Sequence, residues 1–375
     1  MRIARMEIFH IVIPFLEPYH LSRTYGIQHE AHAIVLKVHT RNGIFGIGEA
    51  DPLLPFTQAT PTSVIATLRD RIAPCLLGRP VTDVSSVEDL LGDIGDTDLT
   101  ATGAVSMAVH DMVGKARGVP VHTLLGHVRH HTLPLLFGLG SGTSEENIAA
   151  VDEQRAVGYR CFMIKMGALP VADDVARMIA IRRHVGGDVT LIADANQAWD
   201  TSEATEFIKG VQGYEPDLLE QPLQRKQFDA MRVIRRHATF PISLDEDLAT
   251  VDDAKNVIAE QGADVFSVKV SKNGGIVKAG RIAALAEEAG IRVLMNSMLE
   301  FGISQAASLQ LGCTLSNLVS FGHAYGSVLR MADDITDFSD NIAQGQVTVP
   351  RGVGLGVNLN EGKLATYTEE YVEIS

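Results

Sequence analysis

Apolar and polar residues alternate through "RIARMEIFHIVI" and "HAIVLKVHT", the two-residue period of half-buried strands. A third such run, "IFGIGEA", follows Arg41-Asn42-Gly43, and Asn-Gly between alternating runs predicts a hairpin. The period then lengthens, and helices are predicted around 60–77, 85–93 and 101–117. The last of these, "ATGAVSMAVHDMVGKARG", carries small residues for close packing and stops at Gly118.

From about residue 132 the pattern becomes apolar strand, loop, amphipathic helix, repeated. Candidate strands end near Leu139, Lys165, Asp194, Glu220, Asp245, Lys269, Asn296 and Phe321, separated by helical stretches such as "DDVARMIAIRRHV" and "VKAGRIAALAEEAG". Strand–helix alternation implies a parallel sheet, and seven or eight such units imply a barrel. The expected fold class is α/β: a modified (β/α)7–8 barrel with an α+β cap. The cap is expected over 1–128, the barrel over 129–330, and a C-terminal segment, 331–375, packing back on both.

The strand ends carry chemistry. Lys165, Asp194, Glu220, Asp245 and Lys269 close five successive strands, 24 to 29 residues apart. In a barrel, all C-terminal strand ends point to one mouth, where active sites lie. One charged residue at a strand end is ordinarily a solvated head or an ion-pair partner. Five in a row, with acids central and lysines outside, are a constellation. Three carboxylates make a hard oxygen set suited to Mg²⁺ or Mn²⁺ rather than zinc. A desolvated lysine beside a cation is expected to have a lowered pKa and to serve as a base. Together these groups suit removal of a proton α to a carboxylate. Asp111, Glu7 and Asp264 read as surface or structural acids, and His130-His131 as a solvated turn.

Composition narrows the class. With a net charge of −14, the chain is a poor candidate for nucleic acid, although a bound metal can reverse the sign locally for an anionic substrate. Cys75, Cys161 and Cys313 show neither disulfide nor zinc spacing, which fits a reducing cytoplasm. The N-terminal segment reads as a strand rather than a signal peptide, and no apolar run is long enough for a membrane span.

The segments "MIKMG", "LIADANQAWD", "LLEQPL", "ISLDED", "FSVKVSKNGG", "MNSMLEFGI" and "MADDI…VPRGVGLGVNL" resemble the enolase superfamily, and within it the mandelate racemase/muconate lactonizing enzyme-like proteins. The likeness spans essentially the whole chain and is strongest to the muconate lactonizing subgroup. A Lys or His base working with Mg²⁺ is that superfamily's established chemistry. The resemblance implies one metal ion per site, with Asp194, Glu220 and Asp245 as ligands and Lys165 and Lys269 as acid/base groups on opposite faces of a small carboxylate substrate. It implies that Asn196 and Glu246 orient the ligands and that Glu300 faces the substrate. Two cap loops, 17–26 and 51–61, would cover the mouth, with Tyr19, His20, Arg23 and Tyr25 touching the distal part of the substrate. A homo-oligomer, octamer or dimer, is also implied.

Two positions depart from the subgroup pattern. Where Lys-x-Lys is usual, this chain has Met163-Ile164-Lys165. Where the muconate enzymes carry an acid on strand eight, it reads "FGHAYG", making His323 a further candidate near the substrate. The Asp-x-Asp of dipeptide epimerases is missing. The first expectation is therefore a muconate cycloisomerase-like reaction. A racemase or epimerase of an amino-acid derivative is second, a syn-dehydratase of a hydroxy acid third, and a non-catalytic acid-binding barrel a remote fourth.

Overall fold

The computed structural model describes residues 1–81, 83–94 and 98–375. Strands β1 (Ile3–His20), β2 (Ile27–Thr40) and β3 (Phe45–Ala50) form an antiparallel sheet through the predicted Asn42-Gly43 turn, where Gly43 has φ 85°. Alternate residues Ile3, Met6, Ile8, Ile34, Leu36 and Val38 are buried on one face and form a core with Ala101, Ala104, Val105 and Ala108 of helix Leu99–Arg117. That helix approaches β3 so closely that a Cβ at Gly46 or Gly48 would collide with the carbonyls of Ala108 and Ala104. Asp98 caps its start, accepting from Ala101 N, and Gly118 ends it with φ 69°.

Short strands β4 (Thr132–Pro134) and β5 (Leu136–Leu139) lead into the barrel. Strands β6 (Cys161–Lys165), β7 (Thr190–Asp194), β8 (Leu218–Glu220), β9 (Ile242–Leu244), β10 (Val265–Val268) and β11 (Arg292–Met295) follow. With β5 they make one seven-stranded parallel sheet in sequential order. The expected eighth strand is present only as bridges: Leu318 pairs with Val293 on β11, and His323 with Leu135 beside β5. This segment must pass tightly against the first strands. A Cβ on Gly322 would lie 2.8 Å from the Cys161 side chain, so the chain threads the gap with a glycine instead of running a full ladder.

Side-chain alternation divides the sheet into two faces. Phe162, Ile164, Leu191, Ala193 and Leu219 join the large core, while Cys161, Met163, Ile192, Leu218, Val265 and Leu294 form a separate cluster. The second set fills the barrel interior, and continuing its period brings Lys165, Asp194 and Glu220 to the top layer. After the barrel, β12 (Ile342–Ala343) and β13 (Gln346–Thr348) pair with β4, and β14 (Thr368–Ile374) adds to β1. No helix among the described residues is long and apolar enough to cross a membrane.

Two polar joints tie these parts together. Asp111, read from sequence as surface or structural, is buried. Its carboxylate accepts from Ile47 N (3.0 Å), Leu355 N (2.9 Å) and Lys115 Nζ (2.6 Å), joining β3, the helix and the tail. His323 closes the barrel wall and does not face the mouth. It is fully buried, and its Nδ1 accepts from Met295 N at 3.1 Å, a role that requires a neutral ring. The strand period accounts for this, because it places a neighbour, Ala324, on the cavity wall instead.

Asp111→Ala orphans two backbone donors and is expected to lower the unfolding free energy by about 3 kcal/mol in urea titrations. Burial lowers the pKa of His323 to about 3 and that of His110 to about 4, from 6.5. The unfolded chain takes up these protons near pH 6.5 and the folded chain does not. Their stabilising contribution is therefore complete above 6.5 and is lost as the pH falls toward 4. At pH 5 each histidine is expected to cost about 2 kcal/mol. The Tm should fall accordingly, and His323→Gln should flatten that fall.

Candidate active site

Register brings the candidate groups together. Lys165 is the cross-strand partner of Asp194, and Asp194 that of Glu220. Asp245 and Lys269 each stand one residue beyond the end of β9 and β10. Asp194, Glu220, Asp245 and Lys269 are buried, and the Lys165 side chain is 12% exposed.

Lys165 Nζ donates to Asp194 Oδ2, and Lys269 Nζ donates to Asp245 Oδ2 at 2.5 Å. A third buried ammonium, Lys272, donates to Asp245 Oδ1 at 2.7 Å and to its carbonyl at 2.6 Å. Glu220, between them, accepts from Asn296 Nδ2 (2.8 Å), Ser243 Oγ (3.2 Å) and Ser267 Oγ (3.4 Å). Burial, with the charges of Asp194 and Asp245, pushes the Glu220 carboxyl well above its ordinary range. Asp245 is held below its ordinary value because Lys269 and Lys272 outweigh its burial.

The ion pairs govern the lysines. Burial lowers Lys165, but the Asp194 carboxylate, with help from Tyr19 and Glu220, overcomes it and the net shift is upward. Lys269 is raised in the same way, chiefly by Asp245. Lys272 is lowered, because burial and the neighbouring Lys269 prevail there. The lowered pKa expected from sequence concerns a lysine beside a bound cation, and the upward shifts belong to the ion pairs that strand register imposes.

A cavity of about 800 Å³ opens above these groups, with Lys165, Lys269, Asn196 and Asn296 on its wall. Asn196 N donates to Asp194 Oδ1 (3.0 Å), and Asn196 Nδ2 donates to Glu246 Oε1 (3.4 Å). Glu246 also accepts from Tyr25 OH at 2.9 Å, and burial raises its pKa to about 8. Tyr19, His20 and Tyr25 line the cavity. The stretch expected as a loop at 17–26 is partly strand. Residues 17–20 extend β1, and pairing with β2 resumes at Tyr19 and His20 after an irregularity beyond Pro14. Arg23 turns away from the cavity and bonds Ala198 O and Glu203 Oε2, the acid in the first turn of the next helix. Glu300 is buried behind the wall, accepting from Ser297 Oγ and from Gln305 Nε2 (3.0 Å), with a pKa raised by burial to about 7. From 51–61, Phe56 reaches the mouth and covers Lys269, whose Nζ lies 4.1 Å from the ring centroid.

Sequence reasoning missed Lys272, Asn296 and Phe56. Lys272 follows Lys269 by three residues in "VKVSKNGG", in the turn after β10, and that spacing was its signal. Asn296 was noted only as a strand end.

A hard divalent cation fits the donor chemistry here: three oxygen-only side chains on adjacent strand ends, one of them destabilised by its own carboxylate neighbours. In the present side-chain arrangement, no three His, Cys, Asp or Glu among the described residues are gathered closely enough to hold an ion. The outer two carboxylates are turned onto ammonium groups, the nearest positive charges to a buried anion.

Known proteins share this plan. The chain matches the "Enolase C-terminal domain-like" family over residues 146–363 and the "Mandelate racemase / muconate lactonizing enzyme, N-terminal domain" over 4–126. A chloromuconate cycloisomerase of Cupriavidus pinatubonensis is 30% identical over 345 residues, covering 91% of this chain and 92% of that protein. The N-succinyl Arg/Lys racemase of Bacillus cereus superposes with a TM-score of 0.95 at 26% identity, covering all of both chains. The muconate lactonizing enzyme of Pseudomonas fluorescens, complexed with muconolactone, superposes with a TM-score of 0.94 at 30% identity, covering 98% and 99%. On these matches the chain belongs to the mandelate racemase/muconate lactonizing enzyme family of the enolase superfamily, and is an enzyme of the isomerase type.

Proposed function

We propose that this enzyme moves a proton at the carbon α to a substrate carboxylate, delivering it in a lactonisation and removing and returning it in a racemisation, with Lys165 and Lys269 as acid and base and with Asp194, Glu220 and Asp245 holding one Mg²⁺ or Mn²⁺. The observation that carries this reading is the pair of lysines on the wall of one cavity, each against an outer member of a row of three carboxylates. When bound, the cation supplies positive charge to the substrate carboxylate as negative charge builds on it.

The chain's own residues do the rest. Asp194 and Asp245 fix where each Nζ sits on the cavity wall, and the lysine that accepts a proton must be neutral when it acts while the one that delivers a proton is an ammonium. Asn196, bonded to both Asp194 and Glu246, keeps the carboxylate layer in place from the cavity side. Phe56 over Lys269 and Tyr25 over Glu246 exclude water from one half of the site. In that drier surrounding, charge–charge interactions are stronger.

For the overall reaction we infer a cycloisomerisation of the muconate type first, as in the relatives at 30% identity. A specific observation favours a second reading, racemisation or epimerisation of an amino-acid derivative. Both lysines face one cavity, and 1,1-proton transfer needs a base on each side of the carbon.

Incubation with Mg²⁺ in ²H₂O distinguishes these readings. Muconates should yield lactone carrying one solvent deuteron under the first, and N-acyl amino acids should exchange and invert at Cα under the second. Lys165→Ala and Lys269→Ala should each abolish exchange from a different face, lowering the rate by at least about a hundredfold. Retention of wild-type exchange by both variants would remove the lysines from the chemistry. Glu220→Gln should weaken Mg²⁺ binding in calorimetry and lower turnover together. An unchanged metal affinity would exclude Glu220 as a ligand.

A further inference from the structure

One cation in the cavity has no role in the chemistry above. Arg330 ends the short helical turn Ser327–Arg330, just after the segment that closes the barrel, and its side chain lines the same cavity as Lys165 and Lys269. The guanidinium carbon lies 4.2 Å from the Tyr19 ring centroid and 5.0 Å from that of Phe137. Nη2 donates to the carbonyl of Gly138 on β5. The group is therefore held by two rings and one hydrogen bond. Its Nε and Nη1 have no partner among the described residues, and no carboxylate of those residues lies within 4.0 Å of it.

The acids that share this cavity are otherwise placed. Glu146 Oε2 accepts from Thr143 N at 2.8 Å, closing the capping box of helix Ser144–Val157. Glu17 and Glu153 are exposed.

Space has been left for the group. A Cβ on Gly138 would lie 2.6 Å from Tyr19 OH and 3.1 Å from Arg330 Nη2, so a side chain there would displace both. Gly138 is the cross-strand partner of Met163, which also lines the cavity and brings no charge. Lys165 and Arg330 both line the cavity, and Tyr19 relates to each. Its ring stacks on Arg330, and its phenol acts electrostatically on Lys165.

We propose that Arg330 is a specificity-determining anchor for a second anionic group of the substrate, a carboxylate carried on the part remote from the reacting α-carbon. A planar guanidinium fixed by ring stacking loses little freedom on binding, and its unpaired N–H groups match the oxygens of a carboxylate. The inference rests on the reading of Lys165 and Lys269 for where the first carboxylate sits.

The test uses the full chain with Mg²⁺ in ²H₂O and one matched pair of probes: N-succinyl-L-lysine, and its analogue with the terminal succinyl carboxylate replaced by a carboxamide. Wild type is expected to favour the charged member in kcat/KM by about tenfold to a hundredfold, mainly through KM. Arg330→Met should bring the ratio close to one, and Arg330→Lys should retain part of it. If Arg330→Met does not fold, Arg330→Gln, which keeps a polar donor and removes the charge, should produce the same collapse. Equal use of the two probes by wild type, or a ratio that survives the substitutions, overturns the proposal. If neither probe exchanges its α-proton, the same pair and cis,cis-muconate with its monoamide are compared by calorimetric binding. A charged-member preference that Arg330→Met removes keeps the anchor and sinks only the reaction reading. The absence of any preference there overturns the anchor.

Discussion

A row of buried carboxylates at the top of the barrel sets the terms for the rest of the molecule. Asp194, Glu220, Asp245 and Glu246 are each at most 3% exposed, and the ammonium groups of Lys165, Lys269 and Lys272 stand among them. An unpaired buried charge costs several kcal/mol, and like charges in contact add to that. Glu220 bears most of this cost. It has hydrogen-bond donors but no ammonium of its own, and its neighbours on both sides are acids. A flexible scaffold would relax by letting the carboxylates swing apart. Parallel strands in fixed register, closed on themselves through Leu318 and His323, do not allow it.

The cover over this row is tied to the same layer. Glu49 on β3 accepts backbone N–H bonds from Phe301 (2.8 Å), Ile303 (3.2 Å) and Ser304 (3.2 Å) at the start of helix Gly302–Gly312. The N-terminal sheet thus caps a barrel helix whose own N-cap residue, Phe301, has no side chain able to do so. Asp51 continues the joint, accepting from Ser271 Oγ (2.6 Å) and Ser304 Oγ (2.8 Å). Phe56 lies five residues beyond Asp51, so its place over Lys269 is inherited from an anchor on the barrel's sixth and seventh units.

Much of this was legible in the sequence, for definite reasons. Strands with a two-residue period and helices with clear stops announce themselves, and so the order of elements and the stacking of Lys165, Asp194, Glu220, Asp245 and Lys269 could be read from spacing. What spacing does not carry is direction beyond the strand end. Arg23 and His323 were placed near the substrate by the family resemblance, yet Glu203 draws the first outward and the barrel wall encloses the second. The ion pair at Lys165 was not legible for a related reason. Its partner lies 29 residues away in sequence and beside it in the sheet.

The replacement of a usual lysine by Met163 becomes intelligible at the level of the layer instead of the strand. Met163 belongs to the apolar cluster filling the barrel, and it also forms part of the cavity wall. A charge at that position would rise from below, between Gly138 and Ile192, its neighbours on either side. Here the positive charge on this side comes instead from the opposite end of the chain's path, through Arg330 laid across Gly138, Tyr19 and Phe137. Barrel closure makes the first strand and the segment after the eighth neighbours, so charge can be supplied to the same region from residue 163 or residue 330. The two positions differ in their surroundings: Met163 lies two residues before Lys165 on β6, within the apolar cluster, whereas Arg330 follows the closing segment and is restrained by aromatic faces.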